Sequence, residues 1–153
     1  MELTIKQALR QGVAAHKEGK LQDAERFYRA ILQSKPLHAD ANHNLGILAV
    51  SLNKADVALP LFKIALEANP NIKQFWLSYI DALIKQKQFE TAKQVVELAK
   101  QKRIAAEIIN VLEMRVASEF RVNEPPFGMQ KRRESKKQKV KAINPPEIEI
   151  KKL

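Results

Sequence analysis

One spacing constrains this chain more than anything else in it. Gly12, Ala24, Tyr28 and Pro36 recur as Gly46, Ala58, Phe62 and Pro70, every pair offset by the same step of 34 in the numbering. A further step of 34 reaches Ala92 and Val96, with Ile104 where a third proline would stand. Four independent positions sharing one offset define an internal repeat. A unit of this size cannot bury its apolar face alone, so the chain must fold by stacking its units side by side.

Each unit reads as two helices joined by a short polar turn. The pairs are residues 4–18 and 22–34, 39–52 and 56–68, and 72–86 and 89–101, with turns at Glu18-Gly19-Lys20, Leu52-Asn53-Lys54 and Gln86-Lys87-Gln88. Leu45, Leu48, Ala49 and Leu52 follow helical spacing. Pro36 and Pro70 end the second helix of a pair, since proline cannot donate to the preceding turn. Pro60, near a helix start, predicts a slight irregularity there. Gly46 and Ala58 fall where the two helices of a hairpin cross and a larger side chain would force them apart, while Tyr28 and Phe62 bring the bulk that fills the space between hairpins.

Leu45-Gly46 followed by Ala58-x3-Phe62-x2-Ala65-x4-Pro70 resembles the tetratricopeptide repeat, W-x2-L-G-x2-Y, then A-x3-F and a closing P. The third unit keeps Trp76 and Ala92 but has Tyr79-Ile80 for the usual Leu-Gly; the first keeps Gly12, Ala24, Tyr28 and Pro36 but has Ala8 in place of Trp. The resemblance covers residues 4 to about 103. It implies an all-α, right-handed superhelical solenoid of three helix-turn-helix hairpins, with repeats at about 5–38, 39–72 and 73–104. The third unit also resembles repeats near the front of large bacterial repeat proteins carrying a glycosyltransferase or sulfotransferase domain. That likeness implies a role as the non-catalytic N-terminal module of such a protein, positioning its acceptor.

After the repeats, residues 104–120 form a seventh helical stretch whose apolar residues (Ile104, Ile108, Val111, Leu112, Met114, Val116) fit a C-terminal capping helix. The same apolar surface could serve self-association with a second copy. The domain is therefore expected over 1–120, with 121–153 as a basic tail or linker. Residues 1–120 hold 17 Lys/Arg against 13 Asp/Glu, whereas 121–153 hold 10 against 4, so the basicity belongs mainly to the tail. Lys131, Arg132, Arg133, Lys136, Lys137, Lys139 and Lys141 form a run between two Pro-Pro pairs. It reads as a solvated linker, or as a patch touching nucleic-acid phosphates or anionic lipid head groups, or as an import signal. Phe127 is the single aromatic near it, so base stacking is disfavoured. The closing EIEIKKL can pair as an edge strand or begin another helix.

Enzyme chemistry finds little to work with. The chain has no cysteine, which excludes disulfides and thiolate metal sites. His38-x-Asp40-x-x-His43 is a weak metal spacing across a helix entry, and no Gly-rich phosphate loop, G-x-S-x-G or H-E-x-x-H is present. No catalytic residue, metal or cofactor is expected. The start lacks the pattern of a secretory signal and no apolar stretch suits a transmembrane span, so the expected location is cytoplasmic. The expected function is protein–protein interaction, with a protein or peptide segment held on the concave face lined by the first helices. The residues expected there are Leu9, Val13, His16 and Lys17, then Asp40, His43, Asn44, Ile47 and Ser51, then Gln74, Leu77, Ser78, Asp81 and Lys85. Some tetratricopeptide modules clamp the carboxylate tails of heat-shock chaperones. Of the matching places here (Leu9, Val13, Asn44, Gln74, Ser78) only Asn44 agrees and none is a cation, which disfavours that ligand.

Overall fold

The computed structural model describes residues 2–122 and 148–151. The basic run from Lys131 to Lys141 lies outside the described residues, and so do the roles expected of it. Seven helices follow one another among the described residues: α1 (Ile5–Lys17), α2 (Leu21–Ser34), α3 (Ala39–Ser51), α4 (Ala55–Ala68), α5 (Lys73–Lys85), α6 (Phe89–Gln101) and α7 (Ala106–Val122). The expected helix pairs stand within a residue or two. The chain is an all-α helical repeat solenoid.

The turn inside each hairpin is built the same way. Gly19, Asn53 and Lys87, which succeed one another at the repeat step, take positive φ of 75°, 58° and 57°. The following amide then reaches back to the last turn of the first helix: Lys20 to the Ala15 carbonyl at 2.9 Å, Lys54 to Ala49 at 2.8 Å and Gln88 to Leu83 at 2.9 Å. This left-handed closure satisfies helix-end carbonyls and reverses the chain. Second helices end differently. Lys35 and Asn69 are extended (φ −132° and −145°), as residues before proline must be. After α6 the repeat has Ile104, which does carry an amide hydrogen; it donates to Ala99 at 3.1 Å across a left-handed Arg103. At α4 the expected irregularity does not interrupt the helix, which runs continuously through Pro60.

Packing at the crossings follows the small residues. A Cβ on Gly12 would lie 2.7 Å from Tyr28 Cε1, and one on Gly46 2.5 Å from Phe62 Cε1. Both rings are fully buried. The third hairpin makes the same crossing with Ile80 and Val96, moving bulk from the second helix to the first. Hairpins are also pinned in succession. Trp76 Nε1 donates to the Pro70 carbonyl at 2.8 Å, and Asn42, its counterpart one repeat earlier, donates from Nδ2 to the Pro36 carbonyl at 3.0 Å.

First helices touch in sequence, α1 with α3, α3 with α5 and α5 with α7, while the second helices α2, α4 and α6 do not approach one another as closely. The stack is thus wedge-shaped and its concave side is lined by first helices. α7 takes the place of a fourth first helix, packing on α5 and α6 through buried Leu112 and Val116. It begins at Ala106, so Ile104, counted as part of the cap by sequence, is buried in the preceding turn. Met114 holds the register of Gly12, Gly46 and Ile80 yet is 72% exposed. The last described residues return to the opposite end. Leu3 and Ile150 form a parallel β-bridge, and Lys151 N donates to the Leu3 carbonyl at 3.0 Å.

Candidate functional site

Residues on the concave side form lines that run across the hairpins in steps of 34: Val13–Ile47–Asp81, Lys17–Ser51–Lys85, and Asp40–Gln74. The helices are held in register by their ends. Thr4 caps α1 in a reciprocal pair with Gln7, each side chain bonding the other's backbone amide at 3.2 and 2.9 Å. His38 caps α3, its Nδ1 accepting from Ala41 N at 3.2 Å. The His38-x-Asp40-x-x-His43 spacing therefore scatters rather than converges. His38 faces its own helix end, Asp40 is exposed and His43 turns inward. Among the described residues no three His, Cys, Asp or Glu side chains gather as a metal site.

Eleven of the fourteen expected groove residues lie open or half-open: Lys17, Asp40, Ser51, Gln74, Asp81 and Lys85 are exposed, and Leu9, Val13, His16, Asn44 and Ile47 are half-buried. His43, Leu77 and Ser78 do not belong with them, being 8%, 8% and 6% exposed. The reason is the close approach of α3 to α5. The His43 ring packs between Phe62 and Phe75, with centroids 5.5 and 4.7 Å away, and its Nε2 meets Ser78 Oγ at 2.9 Å. Gln74 Nε2 donates to the same hydroxyl at 3.2 Å. Burial lowers the His43 pKa, against weaker opposing effects of Asn44 and Asp40, so the imidazole is held neutral. This Ser–His contact satisfies two buried polar groups within apolar packing.

The accessible surface is mixed. Leu9, Val13 and Ile47 offer apolar contact, and Asn44, Ser51 and Gln74 offer amide and hydroxyl groups able to pair with a ligand backbone. Toward α7 the side opens into a hollow of about 580 Å³ lined by Asp81, Ile84, Lys85, Arg115 and Glu119 among others. Asp81 is ion-paired there with Arg115, and Lys85 Nζ reaches Asn53 Oδ1 at 3.5 Å. Arg115 and Glu119 were missed as groove residues by sequence reasoning. The signal was the repeat step itself, since they stand one step beyond Asp81 and Lys85. A second hollow, about 500 Å³, lies between α6 and α7 and is lined by Val96, Val116 and Ala117 together with the charged Lys93, Glu97, Glu113 and Arg121. No helix among the described residues is long and apolar enough to cross a membrane.

Residues 43–107 match the sequence profile of the family described as tetratricopeptide repeat. No curated protein matches the chain in sequence. Solved structures match it in fold. The type III secretion chaperone SycD of Yersinia enterocolitica, in complex with a peptide of the translocator YopD, superposes with a TM-score of 0.62 at 16% identity, covering 77% of this chain and 90% of that one. The Sgt2 repeat domain of Aspergillus fumigatus gives 0.60 at 16% identity over 83% of this chain and 88% of its own. Pseudomonas aeruginosa pilF gives 0.61 at 21% identity over 77% and 54% respectively.

Proposed function

Residues 43–107 match the tetratricopeptide repeat family, and from that premise we propose that the chain is a protein-interaction scaffold holding a peptide or protein segment on its concave face. The observation that carries the reading is the row of half-open apolar and amide side chains, Leu9, Val13, Asn44 and Ile47, on helices that the repeat holds in register. A short segment with one apolar face fits that surface, its side chains on the aliphatic residues and its backbone on Asn44, Ser51 and Gln74. SycD, of the same fold, is known with a peptide bound, which supports this class of ligand. Lys17 is the one Lys or Arg among the groove residues named from α1 and α3, which favours an apolar-anchored segment over an acidic tail.

A displayed peptide library selected on the full chain provides the test. Peptides so obtained should lose about tenfold or more in affinity for Asn44→Ala/Ile47→Asp, consistent with one buried apolar contact and one hydrogen bond. They should bind Val57→Asp, altered on the exposed side of α4, as they bind the parent. Equal binding to parent and groove variant would remove the concave face as the site. The alternative, a front module that positions an acceptor for a glycosyltransferase or sulfotransferase domain, rests on the sequence of the third repeat. Translation of the native gene beyond Leu153 tests it.

A further inference from the structure

Among the described residues, those beyond α7 alternate in burial: Ile148 and Ile150 are half-buried, Glu149 and Lys151 exposed. That period of two is the signature of a strand lying on a surface. Ile150 joins a cluster whose floor is Ala8, Ile31 and Ala41, and whose walls include Leu3, Ile5, Leu9 and Phe27. Leu3 lies just ahead of the α1 cap, and its carbonyl takes the Lys151 amide hydrogen.

The repeat register explains why the first hairpin has room for this. Ala8, Asn42 and Trp76 occupy one register position in successive repeats. In the second and third hairpins the side chain there reaches the proline carbonyl of the hairpin before it. The first hairpin has no predecessor among the described residues, and its methyl group leaves the place open. A branched apolar side chain from elsewhere fills it. We propose that this N-terminal edge is an acceptor for an extended strand of alternating apolar residues, and that Ile148–Lys151 of the same chain is its resident ligand, standing where an upstream hairpin would otherwise pack.

A cis arrangement is within reach. The 25 residues between Val122 and Ile148 could extend to roughly 80–90 Å, against about 30 Å for a stack of this many helices at their usual spacing. Covalent connection within one chain makes the contact intramolecular, which favours closure of a weak strand contact over its loss to solvent. The contact is weak by construction, since the parallel register sets Glu2 beside Glu149, two exposed like charges. A releasable strand site at one end of the stack goes beyond the groove reading and shares only Leu9 with the residues named for it.

The absence of cysteine from the chain makes a direct test possible. In the full-length protein, Glu2→Cys/Glu149→Cys leaves the apolar contacts intact and places two thiols on neighbouring paired strands, about 4.8 Å apart at Cα, inside disulfide range. Oxidation should give an intramolecular disulfide at a rate independent of protein concentration, identified by mass spectrometry of the linked peptides. Adding Ile150→Asp should slow it about three- to tenfold, the effect of losing one half-buried aliphatic side chain. An excess of free PPEIEIKKL peptide should slow it too, by occupying the acceptor. Circular dichroism of each variant verifies that the helices persist. Disulfide-linked dimers that increase with concentration would overturn the proposal in favour of a second copy as occupant. A rate unaffected by Ile150→Asp and by the peptide would overturn it outright.

Discussion

The crossing of α3 and α4 sets up a perturbation whose size can be worked out. Gly46→Ala adds one methyl group at a place 2.5 Å from Phe62 Cε1 and 2.7 Å from its Cδ1. Carbon atoms need about 3.5–4.0 Å, so the ring must move by about 1 Å or the helices must part. Phe62 is fully buried with no solvent face to retreat into, which puts the overpacking cost near the upper end of the usual range, about 3 kcal/mol. Alanine recovers about 1 kcal/mol through its higher helix propensity. The net is a loss of about 2 kcal/mol, or about 4–8 °C in Tm for a chain of this length. Chemical denaturation followed by circular dichroism measures it. The partner variant Phe62→Leu, which shortens the ring, should lose about 1–2 kcal/mol alone through lost burial. It should nevertheless tolerate Gly46→Ala, leaving a coupling of at least about 1 kcal/mol in the double-mutant cycle. Ile80 with Val96 is the chain's own precedent for putting bulk on the first helix. Gly46→Ala at or above parent stability, or additive losses in the cycle, would refute the packing account.

Lys87→Gly should stabilise the protein by about 1 kcal/mol, because Lys87 holds φ 57° where glycine has no Cβ penalty; Gly19→Ala, at φ 75°, should lose a similar amount in the same denaturation assay. His43 is buried with a lowered pKa, so the unfolded state binds its proton first. Stability should hold above about pH 6.5 and fall as the pH drops below it, and His43→Leu should flatten that slope in denaturation curves taken across the window. Leu112→Ala should cost about 2–4 kcal/mol by opening a cavity under α7. Lys100→Met, which removes the exposed ion pairs with Glu97 on α6 and Glu113 on α7, should leave the melting temperature nearly unchanged, because solvent screens exposed pairs.

What could be read from the sequence was whatever the repeat writes periodically. The small Gly46 and Ala58 at a helix crossing, the prolines that end α2 and α4, and the three hairpins follow from steric size and missing amide hydrogens, which residue types disclose directly. That Phe62 fills the crossing at Gly46, inside its own hairpin, does not. Asn42 was not legible as a counterpart of Trp76, because an amide and an indole share only one N–H aimed at a proline carbonyl. Nor was the inward turn of His43, Leu77 and Ser78. One turn of helix separates Asp40 in the open from His43 in the core, and which side of that line a residue falls on depends on how closely α3 and α5 approach. Lys87 gave no sign of its left-handed backbone, since that conformation is imposed by the hairpin's closure and not favoured by lysine. The pairing of Leu3 with Ile150 joins opposite ends of the sequence, where no periodicity can point.

That pairing changes how the molecule should fold. Every contact between helices joins near neighbours in the stack, a pattern of low contact order in which hairpins form quickly and independently. A linear row of this kind frays from its ends. Ile150 on the first hairpin turns the row into a ring, and its closure, demanding the longest loop in the chain, comes after the hairpins have docked. Once made, it links the opening of α1 to the release of a strand from the far end of the sequence. The first hairpin then no longer comes loose by itself.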